Sequence, residues 1–211
     1  MPPEQLALFA EPVPDGMTIL RGFALPQAAA ILAAVERISE QAPFRTMQVP
    51  GGGTMSVAMT NCGAAGWVTD LNGYRYSTID PLTGQAWPKM PEIIRELAVR
   101  TADVAGFPGF SPDACLINRY EPGARMGLHQ DRDEADRSAP IVSVSLGLPA
   151  TFLFGGLKRN DPQTRIALHH GDVIVWGGPA RMNHHGISPL KDGVHLELGR
   201  QRLNLTIRRA L

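Results

Sequence analysis

His129 and Asp131 stand two apart in the stretch LINRYEPGARMGLHQDRDE (116–134). On an extended segment, residues two apart point to the same side, so an imidazole and a carboxylate can converge on one metal ion. Asn118 and Tyr120 repeat that spacing upstream, and Asp133 continues the row. Further along, GDVIVWGG (171–178) reads as a buried strand leading to His184 and His185, and QRLNLTIRR (201–209) sets Arg202, Asn204, Thr206 and Arg208 on one strand face. Two histidines and one carboxylate with open coordination positions make the facial triad of non-haem Fe(II) sites, and zinc suits the same three ligands. Neighbours on extended chain face opposite ways, so only one of His184 and His185 is expected to ligate. Two arginines on an otherwise apolar strand need an anionic partner. A dicarboxylate co-substrate supplies one, because guanidinium pairs with carboxylate in a bidentate fork. The plainer alternative is a solvated charge row, the reading given to Arg200 and Arg209.

The rest of the chain must position these groups. Its 211 residues fit one domain, or one core with a substantial insertion, and 44% apolar content is enough to bury a core. Twenty-two glycines and eighteen prolines suggest a turn-rich β protein. Twenty basic and twenty acidic residues leave a formal net charge of zero. That argues against bulk electrostatic attachment to duplex nucleic acid while allowing a local basic groove. Cys62 and Cys115 lie far apart, with no metal or disulfide spacing. There is no basic start followed by an apolar run and no stretch of membrane-spanning length, so a cytoplasmic protein with no membrane partner is expected.

Residues 1–16 are proline-rich and read as a flexible tail, with a single catalytic domain over 17–211. MTILRGF (17–23) is a strand. Leu25-Pro26 opens a helix with Ile31, Leu32, Val35 and Ile38 on one face. Residues 43–91, rich in Gly, Thr, Met and aromatics with a turn at Asn72-Gly73, read as a lid over a site or as an irregular surface meander. A second helix over 91–105 buries Ile93, Ile94, Leu97 and Val104, and Gly106 ends it. ACLINRY, PIVSVSLGL, TFLFGG, RIALH, DVIVW and LNLTIR then follow with turns between and no helix, which implies a mainly β sandwich or barrel over 113–209. No exposed apolar helix or heptad is evident, so a monomer is expected.

His-x-Asp, the distal histidine of HHGISP and the Arg-x-Asn-x-Thr-x-Arg run resemble the 2-oxoglutarate/Fe(II)-dependent dioxygenases of the AlkB family. NRYEPG, HQDRDE, SVSLGLPA, FGGLKRND and GDVIVWGG are similar to its bacterial DNA-repair members, and the resemblance runs from about Thr18 to Arg208. It implies a double-stranded β-helix (jelly roll) core, two helices packed outside and a nucleotide-recognition lid over 43–91. It implies Fe(II) on His129, Asp131 and His185, the last because the family ligand immediately precedes Gly-Ile. It implies 2-oxoglutarate held by Arg202 with Tyr120 at the distal carboxylate and by Arg208 with Asn118 near the iron, with Asn204 in the cluster and dioxygen as second co-substrate. The substrate implied is single-stranded DNA carrying 1-methyladenine- or 3-methylcytosine-type lesions, with double-stranded DNA or RNA as further partners, and the products are formaldehyde and succinate. Trp67 and His129 would then sandwich a flipped base, Tyr74 and Tyr76 would contact the substrate, Asp133 would face the positive charge of the lesion, and Arg159 a phosphate, with Arg125 and Arg132 as weaker phosphate contacts. Gly53, in Gly51-Gly52-Gly53, stands where the family often carries an aromatic, which bears on lid closure. The rival readings are the same chemistry on RNA, a zinc hydrolase on the same ligands, and a jelly-roll binding module without turnover.

Overall fold

The computed structural model describes residues 13–211, so most of the tail expected over 1–16 lies outside the described residues. Val13 already packs on the core, and the Gly177 N–H donates to the Gly16 carbonyl at 2.9 Å. In chain order the elements are β1 (Met17–Leu20), α1 (Ala28–Gln41), β2 (Ala58–Gly63), β3 (Gly66–Asp70), β4 (Gly73–Ser77), α2 (Glu92–Val104), β5 (Ala114–Tyr120), β6 (Met126–His129), β7 (Ile141–Gly147), β8 (Ala150–Phe154), β9 (Thr164–Leu168), β10 (Val173–Trp176), β11 (His185–Ile187) and β12 (Arg202–Arg208). One antiparallel sheet runs β1-β10-β7-β12-β5-β2, a second runs β6-β11-β8-β9, and β3 and β4 form a separate hairpin. The two larger sheets face each other as a jelly roll.

Strands β5 and β12 show why the sequence folds this way. Cys115 and Ile117 on β5, with Leu203, Leu205 and Ile207 on β12, join a core cluster beneath the helices. The alternate residues, Asn118, Tyr120, Asn204, Thr206 and Arg208, line a chamber on the other face. The register matches Arg202 with Tyr120 and Asn204 with Asn118, so the period of two delivers the polar rows to one place. Both faces are buried, which a strand in the middle of a sandwich requires.

Helix α1 starts after a 3-10 turn at Leu25–Gln27 that holds Pro26, and it buries Ile31, Val35 and Ile38. Helix α2 buries Ile94, Leu97, Ala98 and Ala102, but Val104, expected inside, is 60% exposed. The helix ends there. Gly106 takes φ +87°, and Phe107, bonded back to the Ala102 carbonyl at 2.8 Å, supplies the apolar contact instead. Within 43–91, β2 is the edge strand of the large sheet, paired with β5 through Cys62 and Cys115, while the β3–β4 hairpin stands over the site.

Candidate active site

Strand β6 ends at His129, Asp131 follows two residues on, and β11 opens at His185. The ladder pairs His129 directly with His185, so sheet register brings the two imidazoles together, with ring centroids 4.4 Å apart. His129 Nε2 lies 3.6 Å from Asp131 Oδ1, and His185 Nε2 lies 3.6 Å from Asp131 Oδ2. One donor atom from each residue falls within 4.8 Å of the others. Metal bonds of about 2.0–2.2 Å set adjacent donors about 3 Å apart, so a small closing movement completes the face. Gly186 makes the approach of β6 to β11 possible, since a Cβ there would stand 2.7 Å from the Met126 carbonyl.

The far nitrogens orient the rings. His129 Nδ1 donates to the Gly127 carbonyl at 2.9 Å, and His185 Nδ1 to the Asn183 carbonyl at 3.0 Å. A carbonyl only accepts, so both Nδ1 atoms carry a proton and both Nε2 atoms are turned toward Asp131. Burial, reinforced by the neighbouring His185, pushes His129 down to about 4 against the pull of Asp131, which keeps it neutral at pH 7. Burial alone would raise the Asp131 carboxyl, but Arg208 and His185 hold it well below the usual range. Arg208 donates Nε and Nη2 to Asp131 Oδ2 at 3.0 and 2.7 Å. The donor set is two imidazoles and one carboxylate, the set that suits Fe(II). His184 is not part of it. It lines the larger cavity, and its buried Nδ1 has no hydrogen-bond partner among the described residues.

Beside the triad is a chamber of about 50 Å³ lined by Asn118, Tyr120, Trp176, Asn204 and Arg208 among others. Arg202, fully buried, does not line it but stands behind Tyr120, which does. Its Nε donates to Ser145 Oγ at 3.0 Å and its guanidinium lies 5.0 Å over the Tyr120 ring. Among the described residues neither Nη1 nor Nη2 has a partner, and the same is true of Asn118 Oδ1. A buried guanidinium fork left open is a seat for a carboxylate. Asn204, by contrast, is held by Ser143 Oγ and the Val144 carbonyl, and it accepts from Thr206.

On the outer side a cavity of about 420 Å³ opens over His129 and Asp131 and is lined by Trp67, Tyr74, Asp133 and Arg159. Trp67 and Tyr74 stack at 5.6 Å with an 18° interplanar angle. Trp67 Nε1 donates to Asp133 Oδ2 at 2.8 Å, and Arg159 Nη1 to the Leu128 carbonyl at 2.8 Å. Tyr76 is placed differently from Tyr74. It does not line the cavity, and its hydroxyl donates to Glu134 Oε1 at 2.8 Å. Glu134, next to Asp133 in a run whose acids a sequence alone would leave in solvent, is 4% exposed and held by Arg208 and by Arg181. Met55, Met59 and Met126, which complete the apolar wall, were likewise passed over.

The sequence profile of the 2OG-Fe(II) oxygenase superfamily matches residues 16–208, and the chain belongs to that superfamily as an Fe(II)- and 2-oxoglutarate-dependent dioxygenase using dioxygen. Within it the chain is an AlkB-family member. It is 58% identical over 200 residues, 95% of this chain and 93% of the relative, to alpha-ketoglutarate-dependent dioxygenase AlkB of Escherichia coli (strain K12). It is 35% identical to nucleic acid dioxygenase ALKBH1 of Mus musculus, over 57% of this chain and 31% of that protein. The solved structure of OsALKBH1 superposes with a TM-score of 0.81 at 28% identity, covering 94% of this chain and all of that one.

Proposed function

We propose that the protein oxidatively demethylates alkylated bases in nucleic acid, with single-stranded DNA carrying 1-methyladenine or 3-methylcytosine as the substrate. The observation that carries the reading is a cavity floored by His129 and Asp131 of the three-residue cluster, with an aromatic, acid-rimmed wall above them. The name of the mouse relative, a nucleic acid dioxygenase, supports the same substrate class. When bound, Fe(II), 2-oxoglutarate and dioxygen would together supply the chemistry that hydroxylates the N-methyl carbon, with dioxygen as the oxidant and 2-oxoglutarate leaving as succinate and carbon dioxide. The protein's own groups do the rest. His129 and His185 present Nε2 lone pairs because their Nδ1 protons are committed to backbone carbonyls. Arg202, with Tyr120, takes the distal carboxylate of 2-oxoglutarate, and Asn118 and Arg208 flank the end nearer the metal. Asn204 braces that wall.

Trp67 and His129 hold the extruded base between flat faces, with Tyr74 extending the platform. Asp133 favours a cationic methylated base over its neutral parent. Arg159 meets a backbone phosphate. After hydroxylation the N-hydroxymethyl group leaves as formaldehyde, and the cationic base loses one proton and regains neutrality. The chain works as a monomer in the cytoplasm, consistent with two buried free cysteines and with the absence, among the described residues, of a helix long and apolar enough to cross a membrane.

The test is a mass measurement. Purified protein, Fe(II) and 2-oxoglutarate are mixed with a single-stranded DNA oligomer carrying one 3-methylcytosine, alongside RNA and duplex versions. The DNA strand should lose one methylene-sized mass, only with oxygen and not with His129→Ala. An intact oligomer with continued succinate formation would reject the base substrate while leaving the oxygenase. Faster repair of the RNA strand would move the substrate class.

A further inference from the structure

Asp133 and Glu134 are adjacent acids just beyond a metal-face carboxylate, and each is held by one member of a single cross-strand pair in the hairpin. Trp67 pairs with Tyr76 in the β3–β4 register. The indole donates to Asp133 at 2.8 Å and the phenol to Glu134 at 2.8 Å. Glu134 does not stop there. Its Oε2 receives Arg181 Nη2 at 3.1 Å, and its Oε1 lies 3.2 Å from the Nε of Arg208, the same nitrogen that donates to Asp131. Arg181 is 3% exposed and also donates Nη1 to the Asp131 carbonyl at 2.7 Å and Nε to the Ala139 carbonyl at 3.0 Å. One side chain therefore grips both ends of the 131–139 loop and its central carboxylate. The four buried charges, two arginines and two carboxylates, balance, so none of them can move without unpairing another.

From this we infer that Glu134 and Arg181 are positioning residues through which the seating of the β3–β4 hairpin and the metal-binding geometry of Asp131 set each other. The inference rests on the metal-site reading above. Its consequence is a linkage: whatever strengthens the hairpin's hold on Glu134 also strengthens cation binding at the triad, and the reverse. Tyr76 gives the cleanest probe. It touches no member of the metal face, and Tyr76→Phe removes one hydroxyl while leaving every charge in place.

The probe is Co(II), titrated into the metal-free full-length protein and followed by its visible absorption, with no substrate present. Tyr76→Phe should weaken Co(II) binding about 3- to 10-fold, the worth of one buried hydrogen bond. Glu134→Gln should weaken it more, and the double variant should be no weaker than Glu134→Gln alone, because both act through the same carboxylate. Saturating Co(II) should slow amide exchange across β3–β4 in the wild type and not in Glu134→Gln. Thermal melts confirm that each variant is folded. Wild-type Co(II) affinity in Tyr76→Phe, or multiplying effects in the double variant, would overturn the coupling while leaving the metal site intact. Unaltered Co(II) binding by His129→Ala would instead overturn the metal-site reading, and the coupling with it.

Discussion

Arg202 carries a prediction with two effects of opposite sign. In the ligand-free protein its guanidinium is fully buried, with two nitrogens unpartnered among the described residues, and burial pushes it below its usual basicity despite Tyr120. An isolated buried cation destabilises its host, and replacing buried charge by a well-packed apolar group commonly stabilises by about 1–4 kcal/mol. Arg202→Met retains the stem and forfeits the hydrogen bond to Ser145 and the guanidinium's contact with the Tyr120 ring. With about 1–2 kcal/mol set against those losses, the middle of that range leaves the ligand-free variant about 1 kcal/mol more stable. For a chain of this size that is about 2–4 °C in Tm. Binding of 2-oxoglutarate goes the other way. Two charge-assisted hydrogen bonds at about 1.5–3 kcal/mol each disappear, so Kd should rise at least about 100-fold. Differential scanning fluorimetry with Mn(II), with and without 2-oxoglutarate, reads both effects at once. The ligand-induced Tm rise seen in the wild type should vanish from a variant that starts out more stable. A variant that melts lower than wild type without ligand and keeps the full ligand-induced rise would refute the assignment of that pocket.

Three further outcomes follow from other parts of the molecule. Tyr74→Ala should weaken oligonucleotide binding by about 1–3 kcal/mol, as loss of one stacking surface does, with 2-oxoglutarate affinity unchanged by calorimetry. Gly53 lies in an open turn where an added Cβ would approach nothing closer than Val49 Cγ2 at 3.6 Å, so Gly53→Trp should fold normally and tighten single-strand binding about tenfold, measured by fluorescence anisotropy. Asp172 accepts from the Gly22 and His169 N–H groups and from Arg21. Although burial would raise its carboxyl, these bonds hold it below the ordinary value. A depressed folded-state pKa contributes stability above about pH 4 that is lost as pH falls through the folded value. Asp172→Asn should therefore lower stability at pH 7 by about 1–3 kcal/mol, a difference that shrinks progressively as pH falls below about 4, as read by urea denaturation.

The parts legible in the sequence are those where local period decides the outcome. The alternation along β5 and β12 is enough to place Asn118, Tyr120, Arg202 and Arg208 on a common face, and the core demands that alternation whatever the site does. His129 and Asp131 were legible for the same reason. What escaped depends on pairings that no window contains. Strand β11 is three residues long and shows no period, and its place follows from ladder contacts with β6 and β8. Strand β2 reads as part of the lid because its partner β5 lies far along the chain. Glu134 looks solvated beside Asp133 and Asp136 because the arginines that bury it arrive from residues 181 and 208.

The double burial of β12 has a kinetic meaning. Its amides sit between β5 and β7, in the middle of the large sheet, so exposing them requires opening the whole core, and their exchange with solvent should track global unfolding. The β3–β4 ladder is an isolated two-stranded sheet with an open turn at Leu71 and Asn72, and its amides should exchange through small local openings. On warming, the protein should therefore lose its grip on a base before the β12 seat of 2-oxoglutarate opens.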